Sequence, residues 1–201
     1  HIIGPFSCGT YYPTDQPSSH SLQFSQCIIH AKRGSKEAAN YLCEKMYDYL
    51  LQYEYLIDDV EIIIPVPNEK RGYKNATLIA EEFAKIIRER VRKNIHSSDI
   101  ILERVAKSNS YRKFSDLADK YNSSLQDYKV NKKLKEYMLK NGIKNILKNK
   151  KILLIDDIIT SGITVGVCTN LLLQLGAKRV IIFSVGMTYG HDGESYFSFG
   201  P

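Results

Sequence analysis

Three short apolar runs, Val60–Ile64, Ile152–Ile155 and Val180–Val185, restrict the fold of this chain more than any other feature. None alternates with polar residues, so each reads as a strand buried on both faces, the mark of a parallel sheet. Pro65 closes the first run. Helical spacing fills the intervals. Behind Ser35, a suitable N-cap, Ala39, Leu42, Met46, Leu50 and Tyr53 recur at threes and fours. Ile79, Phe83, Ile86 and Ile87 predict a helix over 76–93, and Arg88, Arg90, Arg92 and Lys93 suit its C-terminal end. Asp99–Leu102 predicts another strand, 132–147 a basic helix, and Thr164–Leu175 a helix ended by Gly176. Residues 1–20 lack periodicity and predict an irregular segment, and 104–128 predict a polar excursion with a short helix. Strands alternating with helices define the α/β class: a parallel sheet of about four to five strands with helices on both faces. One such domain over residues 1–201 is expected.

Composition removes several classes. With 43% hydrophobic and 25% charged residues the chain is neither disordered nor fibrous. No apolar run approaches the length of a membrane span, and no basic-then-apolar leader is visible. Cys8, Cys27, Cys43 and Cys168 stand alone, which supports neither a zinc ribbon nor a disulfide framework. A reduced, cytoplasmic location is expected. The formal charge is +6, and the excess is concentrated in nine lysines between Lys129 and Lys151, against one acid, Glu136. This stripe reads first as a solvated face. Its second reading is weak, nonspecific nucleic-acid binding.

The densest chemistry lies in Ile152-Leu-Leu-Ile-Asp156-Asp157-Ile-Ile-Thr160-Ser161-Gly162-Ile163-Thr164. A buried strand delivers two carboxylates, then a turn of small residues, then a helix N-terminus. Backbone N–H groups and hydroxyls of Thr160, Ser161, Gly162, Ile163 and Thr164 can surround a phosphate, and the helix dipole favours its charge. Gly162 permits the positive φ or close approach that such a cradle needs. Asp156 and Asp157 would repel the phosphate but can accept hydrogen bonds from vicinal hydroxyls one sugar length away. Ligands of parallel sheets sit beyond the carboxyl ends of the strands, where this segment falls. A ribose 5-phosphate site fits the pattern.

That segment resembles the phosphoribosyl-pyrophosphate (PRPP) motif of type I phosphoribosyltransferases. Ile64-Pro65-Val66-Pro67-x-x-x-Arg71-Gly72-Tyr73-x-x-Ala76-x-Leu78-Ile79-Ala80 is similar to the competence-protein F (ComF-like) branch. The resemblance covers roughly residues 60–190. It implies the type I phosphoribosyltransferase fold with a small irregular hood, and transfer of ribose 5-phosphate from PRPP to a nucleobase-like nitrogen acceptor. Asp156 and Asp157 would be the catalytic pair. Pro67, Lys70 and Arg71, with Arg104 and Lys107 from a closing loop, would bind pyrophosphate. Mg2+ would arrive with PRPP, with no direct metal ligand assigned to the protein. Tyr189, backed by Tyr196 and Phe197, would face the acceptor, with His191 and Asp192 nearby, and a homodimer is implied. The sequence departs from the branch in three places. Its N-terminal zinc ribbon is absent, its Arg-Gly-Phe-Asn-Gln reads Arg71-Gly72-Tyr73-Lys74-Asn75, and its Arg-x-x-Asn reads Asp119-Lys-Tyr-Asn122. The last departure removes a cation over the site mouth. It favours an alternative, a catalytically weak PRPP- or nucleotide-binding regulator or DNA-processing accessory.

Overall fold

The run before the two aspartates extends through them into a nine-residue strand at the centre of the sheet. The computed structural model describes residues 2–11, 19–53, 56–67, 75–91, 94–105 and 117–188. In chain order these form β1 (Ile2–Thr10), α1 (Ser19–Lys32), α2 (Lys36–Leu51), β2 (Ile62–Pro65), α3 (Asn75–Val91), β3 (His96–Ser97) and β4 (Leu102–Arg104). There follow α4 (Leu117–Asp127), β5 (Tyr128–Val130), α5 (Lys132–Lys140), β6 (Lys151–Ile159), α6 (Ile163–Gln174) and β7 (Arg179–Met187). Five strands, ordered β1-β7-β6-β2-β3, make one parallel sheet, and β4 and β5 pair separately as an antiparallel ribbon.

Two-residue periodicity divides the core. Leu153, Ile155, Ile181 and Phe183 point toward α1, α2 and α3, whereas Ile152, Leu154, Val180 and Ile182 point toward α6 and the β4–β5 ribbon. Both sets are fully or almost fully buried, as continuous apolar strands require. Ser35 caps α2 as expected, its hydroxyl accepting from the Ala38 amide at 3.2 Å. Pro65 is tolerated in β2 because β3 pairs only as far as Ile63. The amide of Val66 donates to Ile155 in β6, so the N–H that Pro65 lacks would face the side where pairing has ended.

Three expectations need correction. Residues 2–10 are an edge strand, not an irregular segment, and α1 follows from Ser19. Gly4, Pro5, Ser7 and Gly9 hide the strand, which is held by pairing with β7 and shifts register between Ile3 and Phe6. Pro5 sits on an edge strand, the place in a sheet where a missing N–H is least costly. Of the strand expected at 99–102 only Leu102 is in a strand: residues 99–101 bend between β3, in the main sheet, and β4, in the ribbon. The basic helix ends at Lys140, ahead of Gly142 at φ +65°, not at Leu147. The residues after Thr188, where the small irregular hood is expected, lie outside the described residues.

Candidate active site

At the carboxyl end of β6, Asp156 and Asp157 are 7% and 4% exposed. Adjacent residues of a strand face opposite ways, and the two carboxylates part accordingly. Asp156 borders a hollow of about 30 Å³ together with Thr160, Ser161, Gly162 and Thr164. Asp157 turns to α1, where its Oδ2 lies 3.3 Å from Lys32 Nζ. That oxygen is buried and takes no well-aligned hydrogen bond, so the ion pair is its compensation among the described residues. Each aspartate also accepts from the next backbone amide. Asp156 Oδ1 takes the N–H of Asp157 at 2.9 Å, and Asp157 Oδ1 takes that of Ile158 at 2.7 Å. Burial first, and then the charge of Asp157, hold the Asp156 carboxyl well above the ordinary aspartate pKa. A desolvated acid of this kind, at a strand end and beside a cavity, is a frequent mark of chemistry.

The cradle begins three residues after Asp157, at Thr160. Gly162 is the N-cap of α6 at φ +70°, a left-handed conformation that glycine adopts without strain, and no side chain caps the helix. The first amides of α6 therefore have no partner within the helix. Those of Thr160, Ser161 and Gly162 donate to no backbone group among the described residues. Thr160 is exposed and Ser161, Gly162, Ile163 and Thr164 are half-buried, so amides and hydroxyls meet solvent at one spot on the positive end of the helix dipole. The hollow itself holds a group about the size of one water. A phosphate would sit in its mouth, with Asp156 deeper in.

Of the other expected site residues, Pro67 lies just beyond β2, at the same sheet end, half-buried. Arg104 is placed elsewhere. In β4 its guanidinium lies 3.9 Å from Asp127 Oδ2 and 5.5 Å from the Tyr128 ring, 11% exposed, and it does not border the hollow. Lys70, Arg71, Lys107 and Tyr189, with His191, Asp192, Tyr196 and Phe197, lie outside the described residues. Lys32 is the residue that sequence reasoning missed. No motif surrounds it, and it reaches Asp157 only because β1 and α1 pack beside β7. Its Nζ also stands 5.8 Å from the ring of Tyr11, which follows β1. Gly186 permits this approach: a Cβ there would come within 2.9 Å of Ile28 Cδ1 and 3.0 Å of Tyr11 Cβ.

The family model of the phosphoribosyl transferase domain matches residues 70–186, more than half of the chain. The chain belongs to the phosphoribosyl transferase domain family. Within this phosphoribosyl transferase domain the match takes in β6, the aspartates, the cradle and nearly all of β7, while β1, α1, α2 and β2 lie ahead of it. Lys32 is thus supplied to the family's segment from outside it. No curated protein matches the chain. No helix among the described residues is long and apolar enough to cross a membrane.

Proposed function

We propose that the chain transfers ribose 5-phosphate from PRPP to a nucleobase-like nitrogen acceptor, releasing pyrophosphate. The observation that carries this reading is the placement of Asp156 in one hollow with Thr160, Ser161, Gly162 and Thr164. The cradle amides and hydroxyls hold the 5-phosphate and fix the sugar beside the carboxylate. As the C1–oxygen bond breaks, positive charge grows on the ribose ring, and Asp156 in its ionised form stabilises it from a fixed, largely buried position. Asp157, clamped by Lys32, holds the strand end and adds its field from the other face. Lys70, Arg71 and Lys107 are the candidate cations for the departing diphosphate, Pro67 precedes the first two in the chain, and Arg104 would need to leave Asp127 to join them. Tyr189 remains the candidate to stack on the acceptor. A homodimer in the cytoplasm, kin to the ComF-like branch, completes the reading.

Magnesium fits as a companion of the substrate. Among the described residues no three histidines, cysteines or carboxylates gather into a metal site, and Asp156 is the one carboxylate bordering the hollow. Magnesium characteristically keeps its waters and binds substrate phosphates with one or two carboxylates. When bound, it would neutralise the diphosphate and so favour its departure.

The clamped Asp157, with Asp119 at the place of the branch's arginine, favours a second reading: a regulator that binds PRPP or a nucleotide without turnover. One experiment separates the two. The protein is incubated with PRPP, magnesium and a panel of bases and amines while pyrophosphate is measured. Acceptor-dependent release supports transfer, saturable calorimetric binding without release supports the regulator, and neither signal refutes both.

A further inference from the structure

The lysine stripe has no part in that chemistry. Four of its nine lysines stand around a groove of about 820 Å³ formed by the β4–β5 ribbon, α5 and the C-terminal half of α6. The floor is apolar, made by Met138, Ile143, Leu171 and Leu175. Val105, Leu125 and Leu139 form an apolar lip and are 50%, 45% and 75% exposed. Around it stand Lys129, Lys132, Lys135 and Lys144. Of these four, only Lys132 has a carboxylate partner among the described residues, Glu136 at 4.0 Å, and both side chains are largely exposed. The one acid in the groove, Glu103, is engaged by Asn131 Nδ2 at 3.1 Å. Leu171 lies eight residues into α6 from Ile163, about 12 Å along the axis from the phosphate cradle.

An apolar floor inside a ring of ammonium groups selects among occupants. A nucleic-acid backbone would use the lysines but leave the floor wet. Among the described residues that line the groove the one aromatic ring is that of Tyr128, which is 4% exposed and covered by Arg104, so it offers no face for base stacking. A second copy placed on this face by a twofold axis would set lysine rim against lysine rim. A helix with an apolar stripe flanked by carboxylates satisfies both features at once, with side chains in the floor and acids on the rim. We propose that this groove docks an acidic amphipathic helix of a partner protein, at a site separate from the phosphate cradle.

The test uses the full chain and a fluorescein-labelled synthetic helix with leucines at i, i+4, i+7 and i+11 and glutamates on both flanks, read by fluorescence anisotropy. Binding with a Kd of about 1–50 μM is expected, weakened several-fold by raising salt and abolished when serines replace the peptide's leucines. Leu139→Asp, at a position too exposed to threaten folding, and the pair Lys135→Gln with Lys144→Gln should each weaken it at least about tenfold. Calorimetric affinity for PRPP should stay unchanged in both variants, which separates this site from the cradle and shows them folded. Equal binding of the serine peptide, indifference to Leu139→Asp, or no binding up to about 1 mM would each overturn the proposal. So would self-association lost on Leu139→Asp, which would make the groove a dimer face. Tighter binding of a mixed oligonucleotide than of the peptide, lost with the lysines alone, would make it a nucleic-acid surface.

Discussion

The ion pair between Lys32 and Asp157 can be weighed by removing the lysine. At 3.3 Å and an effective dielectric near 20, the two charges attract by about 5 kcal/mol. Most of that is offset by desolvating the aspartate, and the one-third exposure of Lys32 lets solvent screen the remainder. Lys32→Met keeps the length and packing of the stem while deleting the charge, and leaves a buried carboxylate oxygen without compensation. A loss of ~1–3 kcal/mol in unfolding free energy is expected. Asp157→Asn should cost less than that, because it removes the charge that needs compensation. Urea denaturation of both single variants and the double variant closes a cycle. A coupling of ~1 kcal/mol or more is expected, since a methionine beside an asparagine restores most of what a methionine beside an aspartate loses. Single effects that add to within ~0.5 kcal/mol would show that the pair contributes nothing and that α1 is held to β6 by packing alone.

Three further outcomes are expected. Gly162→Val forces a β-branched residue to φ +70° and places methyl groups at the mouth of the cradle, so binding of PRPP and ribose 5-phosphate should vanish by calorimetry with far-UV circular dichroism unchanged; retained affinity would remove Thr160–Thr164 from the site. Burial raises the Asp156 pKa, so the folded chain holds this proton at pH values where the unfolded chain has lost it, and the group's contribution is full below the ordinary aspartate range and lost as pH rises through the folded value. Asp156→Asn cannot ionise: its stability relative to the parent should climb as pH rises from about 4, while turnover falls far more than PRPP affinity, and a pH-independent difference would refute the assignment. Gly186→Ala should cost ~1–2 kcal/mol by urea denaturation, because Ile28 can swing its terminal methyl away but Tyr11 Cβ is fixed by the backbone; a neutral result would mean that β1 is loosely seated.

How much could be read in advance depended on where the information sat. The central strands were legible because burial on both faces leaves an apolar run that needs no partner to be recognised, as in Ile152–Ile155 and Val180–Val185. The helices α2 and α3 were legible by periodicity, and the strand, turn and helix start over 152–164 by the order of their residue types. β1 was not, since an edge strand carrying Gly4, Pro5 and Gly9 owes its conformation to β7, far away in the chain. β3 and β4, of two and three residues, are too short to display any period. The divergence of Asp156 and Asp157 was implicit in strand geometry, but only a structure could show that Lys32 awaits the second.

The pairing of β1 with β7 also bears on how the chain is made. Ile2 pairs with Val180 and Thr10 with Met187, so a strand synthesised early must wait for a partner synthesised late. At ordinary elongation rates that wait is roughly 10–30 s. Throughout it, Ile3 and Phe6 lack the β7 side of their native surroundings, although Tyr49 of α2 is already available to Phe6, and β2 and β6 can pair before the edge is closed. The glycines and proline that hid β1 from sequence reading lower its readiness to form a sheet with anything else, so its poor intrinsic propensity protects the nascent chain from premature strand pairing on the ribosome.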